Sequence, residues 1–234
     1  MRIGTRGSRL ALWQASHVRD LLQASGAAVE IVVIKTRGDR IQDVPLAAMV
    51  GKGFFTKELE EAQLVGEIDL AVHSMKDLST DMPPGLVLAA MIGRADPRET
   101  LLIRPDMVDG NRPAGELLPL GEGARVGTSA VRRQAQLRDL RPDLEIADLR
   151  GNVPTRVDKL RGGRYEAILL AKAGLSRLEL DVSGLSVIDL PVDRFVPAPA
   201  QGMLAVQCRD EQPWRDFLGR LHSTIDARPV AAER

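Results

Sequence analysis

The residues best placed to do chemistry sit together in His73-Ser74-Met75-Lys76-Asp77. Leu70 to Val72, just before them, is a short apolar run and predicts a buried strand that ends abruptly in polar groups. Such a cluster suits a ligand site, because ligands in open α/β sheets bind outside the carboxyl ends of the strands. Asp77 is the candidate catalytic group. A carboxylate beside a lysine at a strand end stays ionised and opposes developing positive charge, or moves a proton. A solvated Lys76–Asp77 pair opening a loop is the competing reading of the same residues.

Two further segments carry anion chemistry. Gly127-Thr128-Ser129-Ala130-Val131-Arg132-Arg133 reads as a strand end, a hydroxyl-rich turn and a helix start with two arginines. Leu149-Arg150-Gly151-Asn152-Val153-Pro154-Thr155-Arg156 reads the same way, with an arginine on either side of the turn. Helix N-termini offer free N–H groups and a positive dipole end to anions. Each arginine taken alone is read as a surface partner of Asp or Glu. Four of them at two helix starts point to an oligo-carboxylate or phosphate site. Of 32 basic residues, 26 are Arg and 6 are Lys, and Arg is the cation suited to gripping carboxylate or phosphate with a planar fork. Glu122 to Arg164 holds ten basic against six acidic residues, and the first forty residues hold seven against three. The two regions are read as lining one anion-binding cleft. A genome that uses Arg for Lys throughout explains the ratio but not this clustering.

The elements that must position these groups follow from hydrophobic pattern and turn residues. Arg2 to Thr5 predicts a first strand, and Ser8 an N-cap for a helix ending near Ser25, with Gly26 as its stop. Leu10, Trp13, Val18, Leu21 and Leu22 form that helix's apolar face, with Gln14 as core-edge packing. Val29 to Ile34 predicts a buried parallel strand. Asp43 to Gly53 reads as a loop, with Lys52 exposed and mobile, and Thr56 to Val65 as a helix. Leu86 to Ile92 is another apolar strand. Gly93 to Arg98 is a polar hinge into a second unit, with strands at Thr100–Ile103, Arg125–Gly127, Leu144–Ala147, Ala167–Ala171 and Leu185–Leu190. Its helices are Ala130–Leu140 and Pro154–Leu160, with Asn152 as the second helix's cap. Phe195 to Gly202 is a second hinge, and Met203 to Gln207 a strand returning to the first sheet. Pro213 to Arg234 reads as a helix followed by a polar tail. The class is α/β.

Composition narrows the possibilities. Net charge is zero, so no global field argues for nucleic acid or a membrane surface. Aromatic content of 3% leaves few stacking platforms for nucleic acid. No stretch approaches the roughly 18 apolar residues of a membrane span, and Met1-Arg2-Ile3-Gly4 runs directly into structured sequence without a signal peptide. One cysteine, Cys208, excludes an internal disulfide, and three scattered histidines argue against a zinc site. The expectation is a cytoplasmic protein with no metal.

In order along the chain, the blocks TRGSRLALWQA from Thr5, GKGFFTKELEEA from Gly51, GEIDLAVHSMKDLST from Gly66, PPGL from Pro83, DPRE from Asp96, GTSAVRRQAQL from Gly127, LRGNVPTRVDKL from Leu149, AGLSRL from Ala173 and PAPAQGMLAVQCR from Pro197 resemble the porphobilinogen deaminase (hydroxymethylbilane synthase) family. Those blocks cover almost the whole chain. The resemblance implies a transferase of tetrapyrrole (haem, chlorophyll, corrin) biosynthesis that joins four porphobilinogen units into hydroxymethylbilane with release of ammonia. It implies a dipyrromethane cofactor and a monomeric protein that takes porphobilinogen and no nucleic acid or membrane. On fold, it implies two α/β domains of periplasmic-binding-protein-like type joined by a double hinge: 1–93 plus 200–218 with the catalytic aspartate, and 94–199 rich in arginine. By the same resemblance, 219–234 is the remnant of a third α+β domain that is essentially missing. Asp77 matches the catalytic aspartate. Arg6, Arg132, Arg133, Arg150, Arg156 and Arg177 match positions that bind the acetate and propionate groups. Ser74, Lys76 and Ser129 match other contacting positions, and Gln14, Thr128 and Gln201 lie in matching blocks. The cysteine that carries the cofactor in the family has no counterpart, and Cys208 falls where the family's cysteine is structural. Ser79 stands where a proline is common, and Ala130 where a second serine is often found. Absence of the anchoring thiol leaves a non-catalytic, anion-binding homologue as the alternative.

Overall fold

The computed structural model describes residues 1–36, 38, 56–113 and 115–234. The loop expected at Asp43 to Gly53, with Lys52, lies outside the described residues. Those described form two compact units. One comprises 1–36, 38, 56–96 and Pro199–Arg234, the other Pro97–Ala198. The chain therefore passes from the first to the second between Asp96 and Pro97, and back between Ala198 and Pro199.

The first unit is a five-stranded sheet in the order β2-β1-β3-β10-β4, formed by β1 (Arg2–Thr5), β2 (Glu30–Val33), β3 (Leu70–Ser74), β4 (Leu86–Ile92) and β10 (Leu204–Arg209). β1 pairs parallel with β2 and β3, and β10 runs antiparallel between β3 and β4. The returning strand expected at Met203 to Gln207 is thus present, inserted beside the strand that carries the polar cluster. Helix α1 (Arg9–Ala24) starts at the Ser8 cap, whose hydroxyl accepts from Ala11 N–H at 3.3 Å. It buries Ala15, Val18 and Leu22 against Ile3, Leu70, Val72 and Val206. Gln14 belongs to this buried stripe, while Leu10, Trp13 and Leu21 flank it. Trp13 and Leu21, read from sequence on the apolar face with Val18 and Leu22, pack against the same core, and Trp13 also stacks on His17. The other face of the sheet is covered by α2 (Lys57–Leu64) through Leu59 and Ala62.

β2 departs from the expectation of a buried strand. It is parallel, as expected, but stands at the sheet edge with Glu30 and Val33 exposed. An apolar run signals a strand without revealing whether it has one neighbour or two. The end of the chain also departs. Instead of one helix and a tail there are two helices, α6 (Gln212–Gly219) and α7 (Thr224–Glu233). α7 is capped by Ser223, whose hydroxyl accepts from Asp226 N–H, and it buries Val230 against Met75, Leu78, Met203 and Ala205. Pro229 within it disguised the helix in the sequence.

The second unit is a sheet in the order β7-β6-β8-β5-β9, built from β5 (Glu99–Ile103), β6 (Arg125–Gly127), β7 (Glu145–Ala147), β8 (Ala167–Ala171) and β9 (Ser186–Leu190). β5 lies between β8 and β9, antiparallel to both, and is buried along its whole length. Leu101, Ile103, Val126, Leu137 and Phe195 fill one face, and Leu102, Val157, Leu160, Ile168 and Leu170 the other. Helices α3 (Val131–Leu140) and α4 (Val153–Arg161) follow β6 and β7 as expected. A third, α5 (Lys172–Arg177), was not read from the sequence. It is six residues long with Gly174 inside, too short for a periodic signal.

One turn in the first unit admits only glycine. Gly202 has φ +89°, and a Cβ there would stand 2.2 Å from the Ala95 carbonyl oxygen. The Gly202 carbonyl in turn accepts from Ala95 N–H at 3.0 Å. Gly202→Ala must therefore strain the backbone and push two segments apart. The expected result is a loss of roughly 3 kcal/mol in urea unfolding, whereas Gly110→Ala, at a position open to solvent, should shift stability by less than about 0.5 kcal/mol.

Candidate functional site

In the first unit the cluster begins inside β3. The strand does not stop at Val72 but continues through His73 and Ser74, because both polar side chains find partners there. Buried His73 shares a hydrogen bond of 3.1 Å between Nε2 and Gln207 Oε1 on β10. Gln207 is itself fully buried, and its carbonyl accepts from Gln63 Nε2 at 2.8 Å. On the opposite face, Gln14 of α1 donates to Ser74 Oγ at 2.7 Å. Gln14 therefore ties α1 to the end of the strand, which is more specific than edge packing.

Met75–Asp77 then forms a single 3-10 turn. Met75 N–H donates to the Met203 carbonyl at 2.9 Å, and Leu78 N–H closes onto Met75 O at 3.2 Å. Arg234 at the end of α7 donates to the carbonyls of Met75 and Leu78 at 3.0 and 3.3 Å, bracketing the turn. Lys76 Nζ donates to Gln201 Oε1 at 3.1 Å, and Gln201 is fully buried. Asp77 is exposed on this braced turn. Arg6 follows β1, the neighbour of β3. Burial pushes His73 down to about 4; Gln207 and the negative charge of Asp77 oppose that, and the positive charge of Arg6 reinforces it. Arg6, Gln14, Ser74, Lys76, Asp77 and Gln201 thus gather about the carboxyl end of β3.

In the second unit the two turns read from sequence are linked. Ser129 Oγ accepts from Leu149 N–H at 2.9 Å and donates to Leu149 O at 3.2 Å, joining the turn after β6 to the turn after β7. Thr128 is buried, and its Oγ1 accepts from Ala130 N–H at 3.3 Å. The expected Asn152 cap is present, with Oδ1 accepting from Thr155 N–H at 3.0 Å. Ala130, which precedes α3, offers no side-chain cap, so the first-turn N–H groups of the helix suit an anion. Arg150 is half-buried beside the linked turns, and Arg156 Nε donates to Gly151 O at 2.7 Å. Arg177 closes α5, and burial pushes its guanidinium down to about 10, still cationic at neutral pH.

The paired arginines divide. Arg133 turns inward: Nε and Nη2 reach Glu99 Oε1 and Oε2 at 2.9 and 2.7 Å, and Nη1 donates to Leu169 O at 3.0 Å. Arg132 stays partly exposed and donates to Glu99 Oε1 and to the Val196 carbonyl. Burial pushes the Glu99 carboxyl up, but the charges and hydrogen bonds of Arg133 and Arg132 outweigh it and hold the group below its ordinary value. Sequence reasoning missed Glu99, His73 and Gln207 as partners. The available signal was an acidic residue opening the strand Glu99-Thr100-Leu101-Leu102-Ile103.

The match to known proteins follows this geometry. The family model described as porphobilinogen deaminase, dipyromethane cofactor binding domain, matches residues 1–215. The chain belongs to the porphobilinogen deaminase family. It is 47% identical to the porphobilinogen deaminase of Geobacter metallireducens over 239 residues, spanning 100% of this chain and 71% of that protein. It is 48% identical to that of Maridesulfovibrio salexigens, spanning 99% and 73%. Among solved structures, an ancestral cationic amino acid solute binding protein superposes with a TM-score of 0.54 at 14% identity, covering 100% of this chain and 93% of that one. A periplasmic substrate-binding protein of an ABC transporter from Coxiella burnetii gives 0.53 at 14%, covering 100% and 96%. Those likenesses establish the fold, two α/β units of periplasmic-binding-protein type, and nothing of the ligand.

Cys208 can be judged as a cofactor anchor on its surroundings. It is fully buried in the β10 core, and that burial pushes its thiol up to about 11. Nucleophilic cysteines are accessible and carry lowered values. Native protein at pH 8 is expected to resist iodoacetamide at Cys208 and to take one carbamidomethyl group only after unfolding in urea, as read by intact mass. Rapid native labelling would show the thiol to be reachable.

Proposed function

We propose that the chain binds porphobilinogen and supplies the catalytic aspartate and the carboxylate-binding arginines for its head-to-tail condensation into hydroxymethylbilane. The observation that carries this reading is Asp77, exposed on a turn fixed by Met203 and Arg234, at the carboxyl end of β3. Loss of ammonia from porphobilinogen leaves an electron-poor methylene carbon, and bond formation there places positive charge on pyrrole nitrogen. A preorganised carboxylate opposite the pyrrole N–H groups stabilises that charge and can hold the proton. Arg6, Arg132, Arg150, Arg156 and Arg177 are assigned to the acetate and propionate groups, for which forked guanidinium donors are suited. Lys76 and Ser74, held by Gln201 and Gln14, present a further cation and hydroxyl beside Asp77. Within the second unit, Ser129 links the two turns, Thr128 accepts from Ala130 N–H, and Arg133 grips Glu99.

The donor set suits a dipyrromethane, whose acetate and propionate groups call for several cations and hydroxyls; within the second unit, Arg132, Arg150 and Ser129 are the residues assigned to hold it. When bound, it supplies the pyrrole to which the next unit is joined. Cys208, buried with its thiol pushed up, does not fit as its anchor. The reading includes a cytoplasmic, monomeric protein that takes no nucleic acid; the last of these is supported by the zero net charge and 3% aromatic content. No helix among the described residues is long and apolar enough to cross a membrane.

The test is incubation of the purified chain with porphobilinogen, following ammonia and intact mass together with binding by calorimetry. Binding with release of ammonia is the expected result. Failure to bind porphobilinogen at millimolar concentration would overturn the proposal.

A further inference from the structure

The second unit contains a carboxylate that the proposed chemistry does not use. Glu99 opens β5, the strand flanked by β8 and β9, and its side chain is fully buried. A buried carboxylate survives only where charges and hydrogen bonds compensate for lost water. Here Arg133 grips it with two parallel bonds, and Arg132 shares Oε1 from the surface side. The three groups carry a net charge of one, and the partly exposed member is Arg132.

Arg132 is fixed from a second direction. Its Nη1 donates to the Val196 carbonyl. Val196 is itself pinned by Gln136, one turn along α3, which accepts from Val196 N–H at 2.6 Å and donates to Val196 O at 3.0 Å. A long flexible side chain is thereby held in one orientation by two partners, each anchored in turn. Preorganised donors lose less freedom on binding a ligand than mobile ones.

We propose that Glu99 is a positioning residue for carboxylate recognition, acting through Arg132, and that Arg133 serves as its buried counter-ion and does not touch the ligand. The inference rests on the proposed binding of porphobilinogen. It assigns the carboxylate contact at the start of α3 to Arg132 alone. Glu99 orients that contact, and Arg133 keeps Glu99 ionised.

The test compares the affinity of the chain for porphobilinogen and for porphobilinogen dimethyl ester, which lacks carboxylates. Glu99→Gln keeps shape and removes charge; it is expected to weaken porphobilinogen binding about tenfold or more, the scale of one charge-assisted hydrogen bond, and to leave the ester unchanged. Glu99→Asp keeps charge and alters shape, and should retain most of the affinity. A packing role predicts the reverse order and equal loss for both ligands. Adding Arg133→Met to Glu99→Gln removes the stranded buried cation and is expected to cause no further loss; it also serves as the test protein if Glu99→Gln does not fold. The proposal is overturned if Glu99→Gln or the double variant binds porphobilinogen as the unmodified chain does. It is equally overturned if acid and ester lose affinity alike, or if Arg133→Met adds a further loss for the acid form. No binding by the unmodified chain would instead bring down the functional reading, and this inference with it.

Discussion

Asp77→Asn is expected to reduce the rate of ammonia release from porphobilinogen by about 10²–10³-fold, the usual effect of deleting one preorganised electrostatic group, while affinity for the substrate changes little. The asymmetry follows from where the charge appears. The bound substrate's pyrrole nitrogen is neutral, so the carboxylate has little to oppose until ammonia begins to leave and the ring nitrogen takes up positive charge. Asparagine keeps the shape and one acceptor oxygen but removes the negative charge. The turn itself has no stake in the substitution, since its fixing bonds are backbone ones from Met203 and Leu78 together with Arg234. Urea unfolding of the variant should therefore match the parent within about 0.5 kcal/mol. Retained turnover would remove Asp77 from its assigned role. Equal losses of affinity and rate would recast it as a binding group.

That prediction was accessible from sequence because Asp77 combines two local signals, an apolar run and its sudden polar end. The same holds for the Ser8 and Asn152 caps and for most strands, whose patterns are written within a few residues. Long-range partners were not accessible. Nothing near His73 announces Gln207, which lies 134 positions away on a strand that returns from the other unit. Nothing near Arg133 announces Glu99, so two adjacent arginines looked equivalent until the helix turned one inward and the other outward. β2 illustrates a different limit, because its burial depends on its place in the sheet order. α5 and α7 illustrate a third, since Gly174 and Pro229 suppress the local signal while packing supplies the stability.

The strongest pH effect should come from His73. Its ring is buried and its value is pushed down to about 4 from an ordinary 6.5. Between those two values the unfolded chain binds a proton that the folded chain refuses, so stability rises with pH across this window. The contribution is fully present above about 6.5 and is lost as pH falls towards 4, amounting to about 3 kcal/mol over the window. His73→Gln removes the titration while offering Gln207 another polar partner. Urea midpoints of parent and variant measured from pH 7.5 to 4 should diverge progressively on the acid side, the parent losing about 3 kcal/mol more. A constant difference between the two would mean that His73 does not titrate in this way. Asp77 provides an internal check, because its negative charge favours the protonated ring while Arg6 disfavours it. In Asp77→Asn the histidine should titrate at still lower pH, and the acid loss should extend further. A nuclear magnetic resonance titration of the His73 ring in the parent and in Asp77→Asn would detect that shift, placing the acid-sensitive core residue and the proposed catalytic carboxylate in one electrostatic unit at the end of β3.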